Sequence, residues 1–517
     1  MSILTPLRNN AQKQAITQAQ SLPAPVKGWN QRDSIADMEV TFALRLDNWF
    51  PQEDKIALRN GYTSHVTGIT GNIESLMCHR TFTGTETLFG AANSAIYNVT
   101  SAGSVGSAVV SSLTNDRWQH VNFGTSGGNF LVMCNGQDAV RTYDGSSWAT
   151  PTLTGATSAN LIHVNAHKRR LFFIEKNKLS FWHHNSVEST AGAYSNYPLY
   201  SLCTLGGYTM AMGTWTIDAG NGIDDMAVFV TSQGEVLVFA GTDPGNADKW
   251  SLVGVYRTGK PIGRRCLVRL GGDLIIITES GFIPVSKLMQ TNNPQALSEN
   301  IRKAVNEAAT SYSDKYGWGA IDYPKHNMVI FNIPVNDSED SSLNSYQYVM
   351  NTVTGAWCRF TKIPSVCFEE CGGSIYFGSN TKVWKFWDGN KDDSDSITGD
   401  AKQAFSYFNP PSRLKYFKMI RPLLQSDGTP QPEILINTDF DDDATGSTPT
   451  SVGSTASSWD TAVWDTATWG GEDNVHKGWT SLQGVGYNAS YRMRVSTSTV
   501  EVSWLSTDWL YEVGGFV

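Results

Sequence analysis

Short apolar runs of β-branched and aromatic residues come in pairs along this chain, each pair split by a polar turn. Leu88–Val99 carries Leu88-Phe89-Gly90, a turn at Asn93-Ser94, and then Ile96-Tyr97-Asn98-Val99. Ser374–Phe386 repeats the plan, with Ile375-Tyr376-Phe377-Gly378, a turn at Asn380, and Val383-Trp384-Lys385-Phe386. Between them lie Phe130–Tyr143 (turn Asn135-Gly136), Leu171–Trp182 (turn Lys176-Asn177), Ala227–Phe239 (turn Gln233-Gly234) and Leu274–Val285 (turn Ser280-Gly281). Met328–Val335 and Tyr346–Met350 form a further pair around a longer polar insertion. Tight Asn/Gly turns flanked by such runs predict β-hairpins. The hairpins recur about every 40–50 residues, which, with roughly four short strands per step, is the period of a β-propeller blade. A lone hairpin cannot bury its own apolar face, so neighbours must stack and the ring must close. The expected fold is all-β, a β-propeller of six to eight blades with seven favoured, over residues 41–395.

Outside the hairpins the pattern changes. Pro294 precedes a helix start near Leu297–Ser298, and Ile301, Val305, Ala308 and Tyr312 recur at helical spacing. Its apolar stripe is expected to pack on a blade. Residues 1–40 read as an N-terminal arm. Leu7–Gln20 is polar with few apolar anchors, and Leu22-Pro23-Ala24-Pro25 forces an extended stretch. Docking on a neighbouring protein and simple fraying of a terminus both fit that segment. Lys391–Asp400 is acidic and Ser-rich and reads as a linker. Residues 396–517 then read as a C-terminal β-rich domain, with strands at Leu414–Leu424, Glu433–Asn437, Tyr491–Val495 and Val500–Leu505 and a loop at Gly446–Ser458. Trp459, Trp464 and Trp469 recur every five residues, which suits neither strand nor helix, and read as a surface patch or as fillers of small local cores.

Composition narrows the function classes. A chain of 517 residues is too long for one ordinary core. Charged residues make up only 17%, Trp is abundant at 17, and the net charge is −9, so general nucleic-acid binding through phosphate contacts is not expected. No run approaches the roughly 20 apolar residues of a membrane-spanning helix. The first residues lack the apolar core of a secretory leader, so synthesis and folding in a cytoplasm are expected. The seven cysteines are scattered and odd in number, which reads as core thiols in a reducing compartment. Cys367-x-x-x-Cys371 lacks a second ligand pair for structural zinc.

Candidate chemistry is sparse. Gly124-Thr125-Ser126-Gly127-Gly128 matches G-x-S-x-G, but a nucleophile elbow needs a helix next, and an apolar β-type run follows at Phe130–Cys134. His163 and His167 would share a helical face. On the strand expected here they stand about 13 Å apart, too far for one metal. His183 and His184 point to opposite faces. Asp439, Asp441 and Asp443 alternate as in a calcium loop but lack its spacing. Thr142–Trp148 is similar to the Asp-box of sialidase propellers, with one residue missing between Asp144 and Gly145. Arg257, Lys260, Arg264, Arg265 and Arg269 form a basic run in a Gly/Pro-punctuated loop, suited to an anion, an acidic partner or intersubunit salt bridges. No catalytic, cofactor-binding or metal-binding residue is assigned, and no cofactor is expected.

The segment Leu22–Ile69 carries the strongest signal. It contains Pro23-Ala24-Pro25, Gly28-Trp29-Asn30-Gln31-Arg32-Asp33, Met38, Leu46-Asp47-Asn48-Trp49-Phe50-Pro51, Leu58-Arg59-Asn60-Gly61-Tyr62 and His65. It resembles the amino-terminal region of propeller-type tail proteins of bacteriophages and prophages, in which an Asn-Trp/Met-Phe-Pro element and an Arg-x-Gly-Tyr element open the first blade. Asn351-Thr352-Val353-Thr354-Gly355-Ala356-Trp357 and Tyr511-Glu512-Val513-Gly514-Gly515 are similar to later parts of the same family. The resemblance implies a structural virion protein, the tail nozzle or packaged-DNA stabilisation protein of short-tailed phages, and not an enzyme. It implies a homo-oligomer, a hexamer by preference, at the distal end of the tail. It also implies contacts to a tail adaptor or tube protein and to a tail fibre or needle, with double-stranded DNA passing through the lumen without sequence-specific binding. The implied location is the virion tail, after synthesis in the host cytoplasm. A phage receptor-binding or glycan-binding propeller is the alternative, and would need carboxylates and aromatic platforms at one propeller mouth.

Overall fold

The computed structural model of the protein describes residues 17–218, 223–291, 294–335, 344–441, 451–452 and 474–514. Five small separate sheets and two further four-stranded blades within a larger sheet are arranged in a ring. Their first strands are Ser75–Arg80, Gln119–Thr125, Leu161–His167, Thr209–Asp218, Leu267–Leu270, Gly319–Tyr323 and Cys367–Cys371. Each packs against the next in that order, and the last packs back on the first. This cyclic order of innermost strands defines a seven-bladed propeller. Blades 1 to 5 are separate sheets, whereas blades 6 and 7 are joined into one larger sheet with part of the second domain.

Every hairpin read from the sequence is the second and third strand of one blade. In blade 1 Glu86–Ala92 pairs with Ala95–Asn98, in blade 4 Ile223–Thr231 with Glu235–Gly241, and in blade 7 Ser374–Gly378 with Val383–Phe386. The turn residues supply the backbone these connections need. Asn93 and Ser94 both have positive φ (50° and 62°), as a two-residue turn matched to the strand twist requires. The ring closes with a strand from before the first blade: Tyr62–Thr67 pairs antiparallel with Val383–Phe386 as the outer strand of blade 7. The predicted helix is present as Arg302–Tyr312, entered through a short 3₁₀ turn, Glu299–Ile301. Ile301, Val305 and Ala308 are buried, and the helix packs on strand Met328–Val335 of blade 6 and Gly281–Pro284 of blade 5.

The second domain is built from both ends of the chain. One sheet contains Phe42–Asp47, Asp395–Gln403, Ala489–Thr497 and Glu433–Thr438. The other contains Thr17–Pro23, Val502–Val513, Lys415–Ser426 and Thr480–Gly486. Trp504, Trp509, Tyr491 and Phe417 fill the space between them, with Tyr491 edge-on to Trp504 at 5.2 Å.

Three sequence readings change here. The propeller does not start at residue 41: Phe42–Asp47, Trp49–Pro51 and Ile56–Leu58 pair into the sheets of the second domain. The described part of the N-terminal segment is not a free arm: all seven residues of Thr17–Pro23 pair with Thr507–Glu512 and Ser506 of the C-terminal strand. Nor is Lys391–Asp400 a solvated linker. Lys391–Asp392 and Asp395–Gln403 form a tight hairpin, and its aspartates find arginines far away in sequence. Asp400 meets Arg492 at 2.6 Å and Arg45 at 3.3 Å. Trp459, Trp464, Trp469 and Asp443 lie outside the described residues.

Candidate functional site: the domain junction and the ring channel

Several residues of the segments singled out in the sequence, Asn48, Arg59 and Asn351 among them, meet where the second domain adjoins blades 6 and 7. Asn48 sits at φ 60°, a left-handed position that asparagine tolerates better than most residues. Its Oδ1 accepts from Arg59 Nε and from the Thr361 amide, both at 2.9 Å. Its Nδ2 donates to Thr361 Oγ1 (2.9 Å) and to the Thr398 carbonyl (2.8 Å). Arg59 is fully enclosed, and all five of its N–H groups are used. Nε donates to Asn48, Nη1 to the Asn60 carbonyl and Asp392 Oδ1, and Nη2 to the Thr361 carbonyl and Asp392 Oδ2. The fork is bidentate on Asp392 at 2.7 and 2.6 Å, the geometry that only arginine offers a carboxylate.

Neighbouring residues of the same segments lock this junction. Gly61 passes so close to Lys391 that a Cβ would lie 1.8 Å from the Lys391 carbonyl oxygen, so no side chain fits. Tyr62 stacks edge-on against Phe377 and Trp384 of blade 7, each at 5.1 Å, and burial raises its hydroxyl pKa well above the ordinary value. Phe50 packs on Phe360 of blade 6 and on Trp387. Asn351, which opens the Asn351–Trp357 element, caps its own turn through the Val353 and Thr354 amides. Its Nδ2 donates to the Pro51 carbonyl at 2.9 Å. Nothing in the sequence signals the Arg59–Asp392 pair, because its members lie 333 residues apart.

The second feature is the propeller channel. A cavity of about 240 Å³ is lined by Leu76, Gln119, His120, His163, Arg265 and Glu369, contributed by several innermost strands and the loop before blade 5. At one mouth Tyr316 lies under two guanidinium groups, Arg117 at 4.2 Å and Arg265 at 5.4 Å from the ring centre. Its hydroxyl donates to the Glu74 carbonyl at 2.6 Å. Arg265 Nη2 donates to Ser75 Oγ (2.8 Å) and the Trp118 carbonyl (3.1 Å), and Arg117 pairs with Glu74. Deeper in, His120 lies 3.5 Å from a Glu369 carboxylate oxygen. Arg265 and Tyr316 thus tie the loops before blades 1, 2, 5 and 6 together.

The basic run is therefore not one patch. Arg264 and Arg265 line the channel, Arg257 donates to Thr204 Oγ1, and Arg269 donates to the Thr214 carbonyl. The other candidates are placed as structural parts. Ser126 is an exposed residue in the turn joining Gln119–Thr125 to Gly128–Cys134. Asp144 accepts from the Ser146 and Ser147 amides and hydroxyls, which holds its carboxyl well below the usual range and shapes the turn before Trp148. Asp439 Oδ1 accepts from the Tyr487 amide, tying two loops. His184 is bonded to Ser186 and Ala191 backbone groups, and burial lowers the pKa of His183.

His163 and His167 lie along one blade 3 strand and bond to different carbonyls, those of Met212 (2.9 Å) and Gly241 (3.2 Å) of blade 4. Burial pushes each down to about 4. Both are neutral in the folded protein, whereas the unfolded chain protonates near 6.5. The unfolded state therefore binds more protons between these values, and stability falls as pH drops from about 6.5 towards 4. The urea midpoint is expected to fall between pH 7 and pH 5, with a shallower fall in His163→Gln. An unchanged slope in that variant would contradict the assignment.

No family model matches the chain, and no curated protein matches it. Among solved structures, the computationally designed Ika8 protein aligns at 11% identity and a TM-score of 0.35, covering 63% of this chain and 99% of that one. YCF48 from Cyanidioschyzon merolae aligns at 10% identity and 0.35, covering 65% and 98%. Chaetomium thermophilum Raptor aligns at 10% identity and 0.38, covering 63% and 29%. The assignment of the fold rests on the strand pairing itself.

Proposed function

We propose that the chain is a structural virion protein of a phage tail, a subunit of the distal nozzle ring that retains packaged DNA and conducts it during ejection. One observation carries this reading. Asn48, Pro51, Arg59, Gly61, Tyr62 and Asn351, drawn from the elements through which the sequence resembles propeller-type tail proteins, meet in a single buried junction. Such a junction makes a propeller and a two-sheet domain into one stiff unit, a suitable wall element for a conduit. A closed ring of blades leaves few free edges for unwanted pairing. The net charge of −9 suits a surface past which DNA slides, since like charges repel within a Debye length of about 8 Å. In this reading the DNA path is the lumen enclosed by several subunits.

The ring requires subunit interfaces that each bury well above about 1,000 Å². Purified full-length protein, or its complex with the tail adaptor, is expected to sediment as a closed oligomer, six copies by preference. A monomer at all concentrations that binds a glycan at the channel mouth would instead support the receptor-binding alternative.

A further inference from the structure

We propose that Cys78 and Cys371 form a reversible covalent clasp on the propeller ring, opened and closed by thiol–disulfide exchange. Cys78 lies on the innermost strand of blade 1 and Cys371 ends the innermost strand of blade 7, the two strands whose packing completes the circle. Their sulfurs are joined, their Cα atoms are 5.9 Å apart, and 293 residues separate them in the chain. That Cα spacing lies within the ordinary range for a disulfide. The expectation of core thiols alone is therefore corrected for this pair.

The surroundings single the pair out. Cys134, Cys203, Cys266, Cys358 and Cys367 are free, and burial pushes the thiols of Cys203, Cys266 and Cys367 up to about 11, 12 and 11, where little thiolate forms. Cys371 is itself buried, at 6% exposure, but is followed at once by the exposed turn Gly372-Gly373, so a small local movement of that turn would reach its sulfur. Glu86 Oε2 stands 3.7 Å from Cys78 Sγ, and the three side chains bring their ligand atoms within 4.8 Å of one another. The Glu86 carboxylate is already engaged by the Gly372 amide and by Arg80, which favours a sulfur–sulfur bond over a metal.

The exchange balances with a small-molecule disulfide such as oxidised glutathione. The Cys371 thiolate attacks one glutathione sulfur, breaking that S–S bond and releasing one glutathione thiolate. The Cys78 thiolate then attacks the Cys371 sulfur of the mixed disulfide and releases the second. The protein loses two thiol protons and two electrons, and the glutathione disulfide gains them. Closing so long a loop restricts the unfolded chain, and the locked ring should melt about 5 °C above the open one. The clasp follows from ring closure and does not depend on the role proposed above.

The test equilibrates the full-length protein with oxidised glutathione or with a phosphine reductant, then counts thiols after denaturation and measures melting. Expected are five titratable thiols in the oxidised protein against seven in the reduced. A Cys78–Cys371 cross-linked peptide and a higher melting temperature should appear only in the oxidised sample. Cys371→Ser and Cys78→Ser should each abolish the redox-dependent shift, and the wild-type comparison needs no variant to fold. Seven thiols after oxidation, a different cross-linked pair, a shift that survives Cys371→Ser, or one zinc per chain that a chelator removes would overturn the proposal.

Discussion

Arg59→Ala is expected to cost about 3–5 kcal/mol of stability, the range for removing one partner of a buried ion pair. The size follows from what the truncation strands. Asp392 is 3% exposed at its side chain and would keep a charge with no counter-ion. Asn48 Oδ1 would lose one of its donors, and the Thr361 and Asn60 carbonyls would each lose theirs. Lysine is not a substitute, since it lacks the planar fork that reaches Asn48 and both Asp392 oxygens together. Asp392→Asn should cost less than Arg59→Ala, and the uncharged pair Arg59→Met with Asp392→Leu should recover part of the loss. Denaturant midpoints of the four proteins check this. A loss under 1 kcal/mol for Arg59→Ala would show that the junction does not hold the domains together.

The second large effect is expected at Trp49. Its indole is completely buried, and its fit depends on Gly399, where a Cβ would lie 2.5 Å from Trp49 Nε1. Trp49→Ala removes this filling against strand Asp395–Gln403 of the second domain and should cost about 3–5 kcal/mol. Gly399→Ala overpacks the same contact and should cost about 1–3 kcal/mol alone. On the Trp49→Ala background the indole clash is gone but the added methyl still meets Leu58 Cδ1 at 2.5 Å, so Gly399→Ala should cost less there than it does alone. Additive losses across this cycle would show that the two residues do not share one packing site.

The propeller was legible because its middle strands are buried on both faces. Met328–Val335 is buried at every position, and Asp273–Thr278 at all but its first, so each reads as an apolar run between turn residues. Innermost strands are harder to see, since one face meets the polar channel: in Gln119–Thr125 only Gln119, Phe123 and Thr125 are buried. The outermost strand of blade 4, Trp250–Arg257, is mostly exposed and carries little signal. Thr17–Pro23 was misread for a related reason. It is an edge strand with Leu22 as its only buried residue, so it looks like a polar tail although its backbone is paired throughout. The acidic stretch 391–400 misled because a lone aspartate looks solvated until its arginine is found. Asp392 pairs with Arg59 and Asp400 with Arg492. Contacts of that separation leave no periodicity to read. The Cys78–Cys371 pair was hidden in the same way. At the junction, residues quoted for the resemblance lie together, and the structure gives the physical reason each is needed there.

Electron cryomicroscopy of the purified full-length protein, alone and on its tail adaptor, bears most directly on the central claim. The account predicts a closed ring of copies, each a seven-bladed propeller fixed rigidly to its two-sheet domain, around a lumen wide enough for a DNA duplex. Isolated subunits with a glycan seated in the propeller mouth, or a ring whose lumen is too narrow for DNA, would contradict it.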